Sequence, residues 1–260
     1  MVKKQPYHIV EYSLLPLIVA AQLLCLPLAI LMFLKEESHL SVIITLTFLC
    51  LLILIWCRDI SREACYKGEH TKRVERGFFY ATLFFILSEL IFFFSLFWAF
   101  LAFSLSPDIS IGMIWPPLCI VPLRPLGVPL INTLILLLRG LTVTLAHGGI
   151  LKGKKRTRQL VRTIMLGWFF LSLQIIEYGE ANFDFTQTAF SCIFYILTGC
   201  HGFHVFIGRL FLLGQTLRLK AYNFRKSRHR GLQFSIWYWH FVDVVWLFVF
   251  VLVYSWGSSS

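Results

Sequence analysis

Charged residues in this chain fall into blocks, and between the blocks run long apolar stretches that carry almost none. The first stretch, Tyr12 to Leu34, holds 23 residues without a charge. A hydrocarbon core about 30 Å thick needs roughly 20 helical residues to cross it. Measured with that ruler, the pattern predicts seven spans, at about 12–34, 40–64, 77–106, 127–151, 160–182, 188–217 and 232–256. Arg58 and Asp59 interrupt the second span late, so it is expected to leave the membrane still helical. The third, sixth and seventh spans exceed the minimum, which allows tilt. Between spans three and four, Trp115-Pro116-Pro117 with Pro122, Pro125 and Pro129 predicts an ordered surface loop.

Composition narrows the class. Of 260 residues, 58% are hydrophobic, 17% aromatic and only 14% charged, against roughly 25% charged in a soluble domain. A water-soluble globule has no surface for that apolar mass, and disorder is excluded for the same reason. The expected fold class is all-α, a polytopic membrane protein. The seven cysteines show no CxxC spacing, so neither a disulfide framework nor a zinc site is predicted. No glycine-rich nucleotide loop, nucleophile elbow, HExxH or CxxCH motif occurs, which disfavours an intrinsic catalytic centre.

The net charge of +11 is not one basic face suited to nucleic acid, because it is spread over the connections between spans. Lys3 and Lys4 precede span one. Six Lys or Arg lie in each of 58–76, 152–162 and 218–230, which puts 20 of the 24 basic residues on one side. The opposite connections hold Lys35 and Arg124, offset by Glu36, Glu37, Asp108, Glu180 and Asp184. The positive-inside rule therefore places the N-terminus inside and the C-terminus outside. The segment before Tyr12 has no cleavage pattern and no transit-peptide character.

Ionisable groups at membrane depth are expensive and are functional candidates by default. Glu89 lies near the middle of span three. It is either a neutral carboxyl hydrogen-bonded to a neighbouring helix or a lipid headgroup, or a carrier of a proton in transit. His201 and His204 stand at i and i+3, as do His240 and Asp243. These four groups suit either a metal or haem site or interhelical hydrogen bonds pinning spans six and seven, with Gly199, Gly202 and Gly208 allowing close approach. His147 closes span four as an interfacial residue. Arg58, Asp59, Arg62, Glu63 and His70 form either a solvated charged turn or a phosphate-recognition patch for a lipid headgroup, anchored by Trp56. The basic connection around Arg218 suits anionic lipid or an acidic partner.

Several of these runs carry a specific likeness. They are the stretch from Trp237 to Phe248 (WYWHFVDVVWLF), Gly199 to Val205 (GCHGFHV), Ser88 to Phe94 (SELIFFF) with Phe97 to Phe100, and Trp115-Pro116-Pro117. Val128 to Thr133, Ala146-His147, Glu177-Tyr178, the Arg58-to-Thr71 block and Tyr7 to Val10 add to them. Together, in order and over essentially the whole length, the chain resembles the cytochrome c oxidase subunit III family.

That resemblance implies a core subunit with seven helices in two bundles, I–II (residues 1–72) and III–VII (73–260), separated by a lipid-filled V-shaped cleft. It implies no haem, copper or other metal in this chain. Haem a and copper would sit in partner subunits I and II, which carry electrons from cytochrome c to oxygen with proton pumping. Helix-pinning then becomes the role of His201, His204, His240 and Asp243. Glu89 matches the family's carbodiimide-reactive carboxyl, and the lipid contacts fall on Arg58, Arg62, Glu63, His70, Glu89 and Arg218. The implied role is to support stability, proton uptake and lipid and oxygen access, beside supernumerary subunits and phospholipids including anionic lipid. The implied location is the mitochondrial inner membrane, with the N-terminus in the matrix and the C-terminus in the intermembrane space; the missing transit peptide fits an organelle-encoded chain. Departures from the pattern are Cys57, the more basic 218–230 connection, and Arg139 and Arg209 at membrane depth. With no acid at i±3 or i±4, both arginines are expected to face added partner subunits. The alternatives are subunit III of a bacterial quinol oxidase and a proton-coupled secondary transporter, although the internal repeats and broken helices of transporters are missing.

Overall fold

A computed structural model describes residues 6–35, 39–109, 112–118, 120–153, 157–221, 224 and 229–257. Lys3, Lys4, Glu36, Glu37, Cys119, Lys154, Lys155, Arg156, Arg225, Lys226 and Arg228 lie outside them. Among the described residues every regular element is helical, and seven helices are long and apolar enough to cross a membrane. The chain divides into two compact units, Met1–Phe79 and Tyr80–Ser260.

In the first unit α1 (Leu15–Leu34) and α2 (His39–Arg62) pack as a hairpin. Pro16 stands in the first turn of α1, where its fixed φ and missing N–H do no harm. The shared core is small: Val19, Leu49 and Leu52 are buried, with Leu15 and Leu26 against them. Gln22 ties the helices by donating from Nε2 to the Thr45 carbonyl at 3.1 Å. Leu17, Leu24, Leu28 and Leu31 on α1, and Ile43, Phe48, Leu51 and Leu54 on α2, are exposed. That is the surface a helix presents to acyl chains, which are as apolar as leucine. Beyond Arg62, α2 widens into a π-helical turn, Glu63–Lys67, closed by Gly68 at φ +65°. Glycine takes this left-handed conformation without steric cost.

The second unit contains the greater part of α3 (Lys72–Leu105) together with α4 (Val128–Leu151), α5 (Thr157–Glu180), α6 (Ala189–Lys220) and α7 (Arg230–Val249). Helix α7 runs on as a π-helical segment, Phe250–Trp256. A capping box starts α6: Thr188 Oγ1 accepts from the Ser191 N–H, and Ser191 Oγ accepts from the Thr188 N–H. The loop expected to hold Pro129 ends earlier, since Pro129 occupies the first turn of α4. Helix α3 starts at Lys72 rather than near residue 77, because its charged first turns stay helical beyond the apolar run.

Helices α4 to α7 pack pairwise around a buried core, which α3 joins through large side chains. Phe93 and Phe100 are fully buried, Phe85 stacks on Tyr238, and Phe97 meets Phe248. The closest approach of α5, α6 and α7 is shaped around Trp239. A Cβ on Gly208 would sit 2.9 Å from Trp239 Cε3, and one on Gly167 would sit 3.2 Å from Cη2 and 2.8 Å from Arg209 Cδ. Of the three glycines singled out from the sequence, only Gly208 is required by this packing. Gly199 and Gly202 have room for a methyl group.

Candidate functional site

Rings on α3 and α7 frame His204, the partner of Glu89. Phe93 lies edge-on to His204 at 4.9 Å between centroids, and Phe92 and Tyr238 stack on the same imidazole. Inside this frame Glu89 Oε2 is 2.8 Å from His204 Nε2, joining α3 to α6. His204 Nδ1 lies 2.7 Å from the Cys200 carbonyl. A carbonyl only accepts, so Nδ1 must carry a hydrogen. Nε2 then either accepts from a protonated Glu89 or, itself protonated, donates to the carboxylate. In both forms a single hydrogen bridges the two groups. The two side chains are only 10% and 23% exposed.

Buried polar groups of the second unit link further helix pairs. His201 is buried, and its Nε2 donates to the Val242 carbonyl at 3.2 Å, linking α6 to α7. Asp243 Oδ1 is 3.1 Å from Arg139 Nη2, linking α7 to α4. His240 Nδ1 is 4.0 Å from the other Asp243 oxygen. The single α6–α7 contact expected of these groups is therefore spread over three helix pairs. Trp246 adds a donor from Nε1 to Thr133 Oγ1 at 3.1 Å. His147 packs edge-on against His229.

The two arginines correct an expectation. Neither is turned outward toward an added subunit. Arg139 is fully buried, with its guanidinium over Phe170 and Trp239 at 4.7 and 4.9 Å. Arg209 is 2% exposed and lies 3.6 Å over the Trp168 ring. A guanidinium stacks on aromatic faces and holds a carboxylate, so its partners need not be acids along its own helix. Sequence reasoning also missed Gln174, and it quoted Glu177 only for the family likeness; both are buried on α5, and their spacing of three along an apolar helix was the available signal.

In the first unit the charged patch is organised by the N-terminal segment. Lys67 pairs with Glu11 at 2.6 Å, Thr71 Oγ1 donates to the Pro6 carbonyl, and Arg73 lies over the Tyr7 ring. These contacts place His8 beside Glu63, at 3.8 Å from Nε2 to Oε2, and beside His70, at 5.9 Å between rings. Arg58 pairs with its neighbour Asp59 at 3.0 Å, and Arg62 is exposed. Glu63 and His70 thus meet, whereas Glu89 and Arg218 belong to the other unit. Arg218 lies 5.1 Å over the Phe224 ring and 3.4 Å from Gln215 Oε1.

A family model for cytochrome c oxidase subunit III matches residues 5–258. The chain belongs to the cytochrome c oxidase subunit III family. The cytochrome c oxidase subunit 3 of Allomyces macrogynus is 43% identical, over 98% of this chain and 94% of the relative. Those of Paracentrotus lividus, at 42% over 99% and 100%, and Polypterus ornatipinnis, at 45% over 97% and 97%, are similar. The chain is accordingly subunit III of an oxidoreductase complex, cytochrome c oxidase, and a multi-pass helical protein of the mitochondrial inner membrane. The quinol-oxidase and transporter alternatives are not favoured.

Proposed function

We propose that this subunit supports the catalytic core without carrying a redox centre, and that its chemistry lies in one shared proton and a set of lipid contacts. The observation that carries the reading is the 2.8 Å contact between Glu89 and His204. Glu89 remains partly accessible at an aromatic face, where an apolar carbodiimide would reach it. In this reading Glu89 is the proton-linked carboxyl. Arg58, Arg62, Glu63 and His70 on the inner side hold a phospholipid headgroup, with further lipid contacts at Glu89 and Arg218. Exposed Arg58 and Arg62 supply the fork geometry that suits phosphate. The helix-pinning groups His201, His204, His240 and Asp243 keep the second unit in register against subunits I and II and the supernumerary subunits. The N-terminus faces the matrix and the C-terminus the intermembrane space, as the basic blocks favour.

Glu89→Gln tests the assignment, since it removes the titratable carboxyl and keeps an acceptor for His204. The expected outcome is an assembled complex with full haem content, no carbodiimide labelling of this subunit, and a decline in sustained turnover. Loss of the assembled complex would make Glu89 a structural residue instead. Unchanged labelling would place the reactive carboxyl elsewhere.

A further inference from the structure

The N-terminal segment brings a third ligand-type side chain to the inner end of α2. One donor atom from each of His8, Glu63 and His70 lies within 4.8 Å of the others, and all three residues are half-buried. Their convergence is built from both sides. Anchors at Pro6 and Tyr7 before His8, and at Glu11 after it, hold that histidine over the turn. On the opposite side, the π-helical turn ends on Gly68, and the Glu69 N–H closes onto the Glu63 carbonyl at 3.1 Å. That closure folds the chain back so that Glu63 and His70, seven positions apart, face the same point.

At 3.8 Å, His8 and Glu63 are too far apart for a hydrogen bond. A tetrahedral ion with bonds of about 2.0–2.1 Å spaces its ligand atoms roughly 3.4 Å apart, so a small side-chain adjustment closes the three onto one centre. Two imidazoles and a carboxylate form the donor set of a borderline-soft divalent ion, whereas magnesium and calcium prefer oxygen alone. Three of the nearby cations have other partners: Lys67 is held by Glu11, Arg58 by Asp59, and Arg73 lies over Tyr7.

We propose that His8, Glu63 and His70 form a site for a divalent transition-metal ion of the zinc class, which fastens the N-terminal segment to the first unit. The site shares Glu63 and His70 with the headgroup reading, and the two readings part at His8, which is not a proposed lipid contact, and at Arg62, which is not a metal ligand. The experiment is equilibrium dialysis of the purified oxidase complex, washed with chelator, against radioactive zinc. Complex with the native chain is expected to bind one zinc more than complex carrying His8→Ala or His70→Asn, and Glu63→Gln to weaken that ion at least tenfold. Arg62→Ala is expected to leave it unchanged. Equal stoichiometry and affinity in native, His8→Ala and Glu63→Gln complexes would overturn the proposal.

A measurement on the unaltered complex removes any dependence on how the variants assemble. Zinc, and not magnesium, should protect His8 and His70 from diethylpyrocarbonate. Protection by phospholipid vesicles but not by zinc would overturn the metal assignment and leave the headgroup reading standing.

Discussion

Asp243 and Arg139 form an ion pair whose arginine has no contact with solvent. Removing one member of such a pair leaves an uncompensated buried charge, at about 3–5 kcal/mol, whereas removing both sides is far milder. Asp243→Asn is therefore expected to lower the temperature at which this subunit dissociates from the complex. Arg139→Met, which keeps the volume beside Phe170 and Trp239 filled, combined with Asp243→Asn should recover most of that loss. Thermal release from the purified complex, read across the four members of the cycle, checks the coupling; additive losses would show that the two groups act independently. The sequence marked both residues as unusual but did not pair them. Spacing along one helix shows which residues share a face, as His240 and Asp243 do, but not which face a helix distant in sequence turns toward them. The same limit hid the Glu89–His204 contact, although both residues stood out individually.

Glycine and tryptophan set the approach of α5, α6 and α7. Gly208→Ala would drive a methyl group to 2.9 Å from the Trp239 ring, and overpacking of this kind costs about 1–3 kcal/mol. Gly199→Ala meets nothing closer than Tyr178 Oη at 3.9 Å, so the ordinary helix preference for alanine makes it neutral or slightly stabilising. Assembly yield and thermal release should thus fall for Gly208→Ala and hold for Gly199→Ala; equal behaviour would mean that Trp239 repacks freely. At this scale the existence and order of the helices were legible, because each apolar run had to satisfy its backbone within itself. The π-helical stretches at Glu63–Lys67 and Phe250–Trp256 were not. A π-helical turn differs from an α-helical one in its hydrogen-bond spacing and not in its apolar content, so hydropathy does not register it.

Topology belongs to the whole chain. An odd number of spans with basic blocks on one side predicts that the loop between α3 and α4 faces outward. In mitoplasts, an impermeant maleimide should label Leu118→Cys, which is 84% exposed, and not Lys152→Cys at the inner end of α4. Labelling of Lys152→Cys alone would invert the orientation.

The first unit also differs from the second in what holds it together. Among the described residues its hairpin buries only Val19, Ala29, Leu49 and Leu52 as apolar side chains, while most of its leucines and isoleucines face outward. Its stability is consequently borrowed from the surrounding acyl chains, much as a soluble domain depends on water. Surfactant choice then acts on α1 and α2 as temperature acts on a globular protein: a short-chain detergent that strips acyl chains removes the medium that holds this hairpin closed, even where α4 to α7 stay packed.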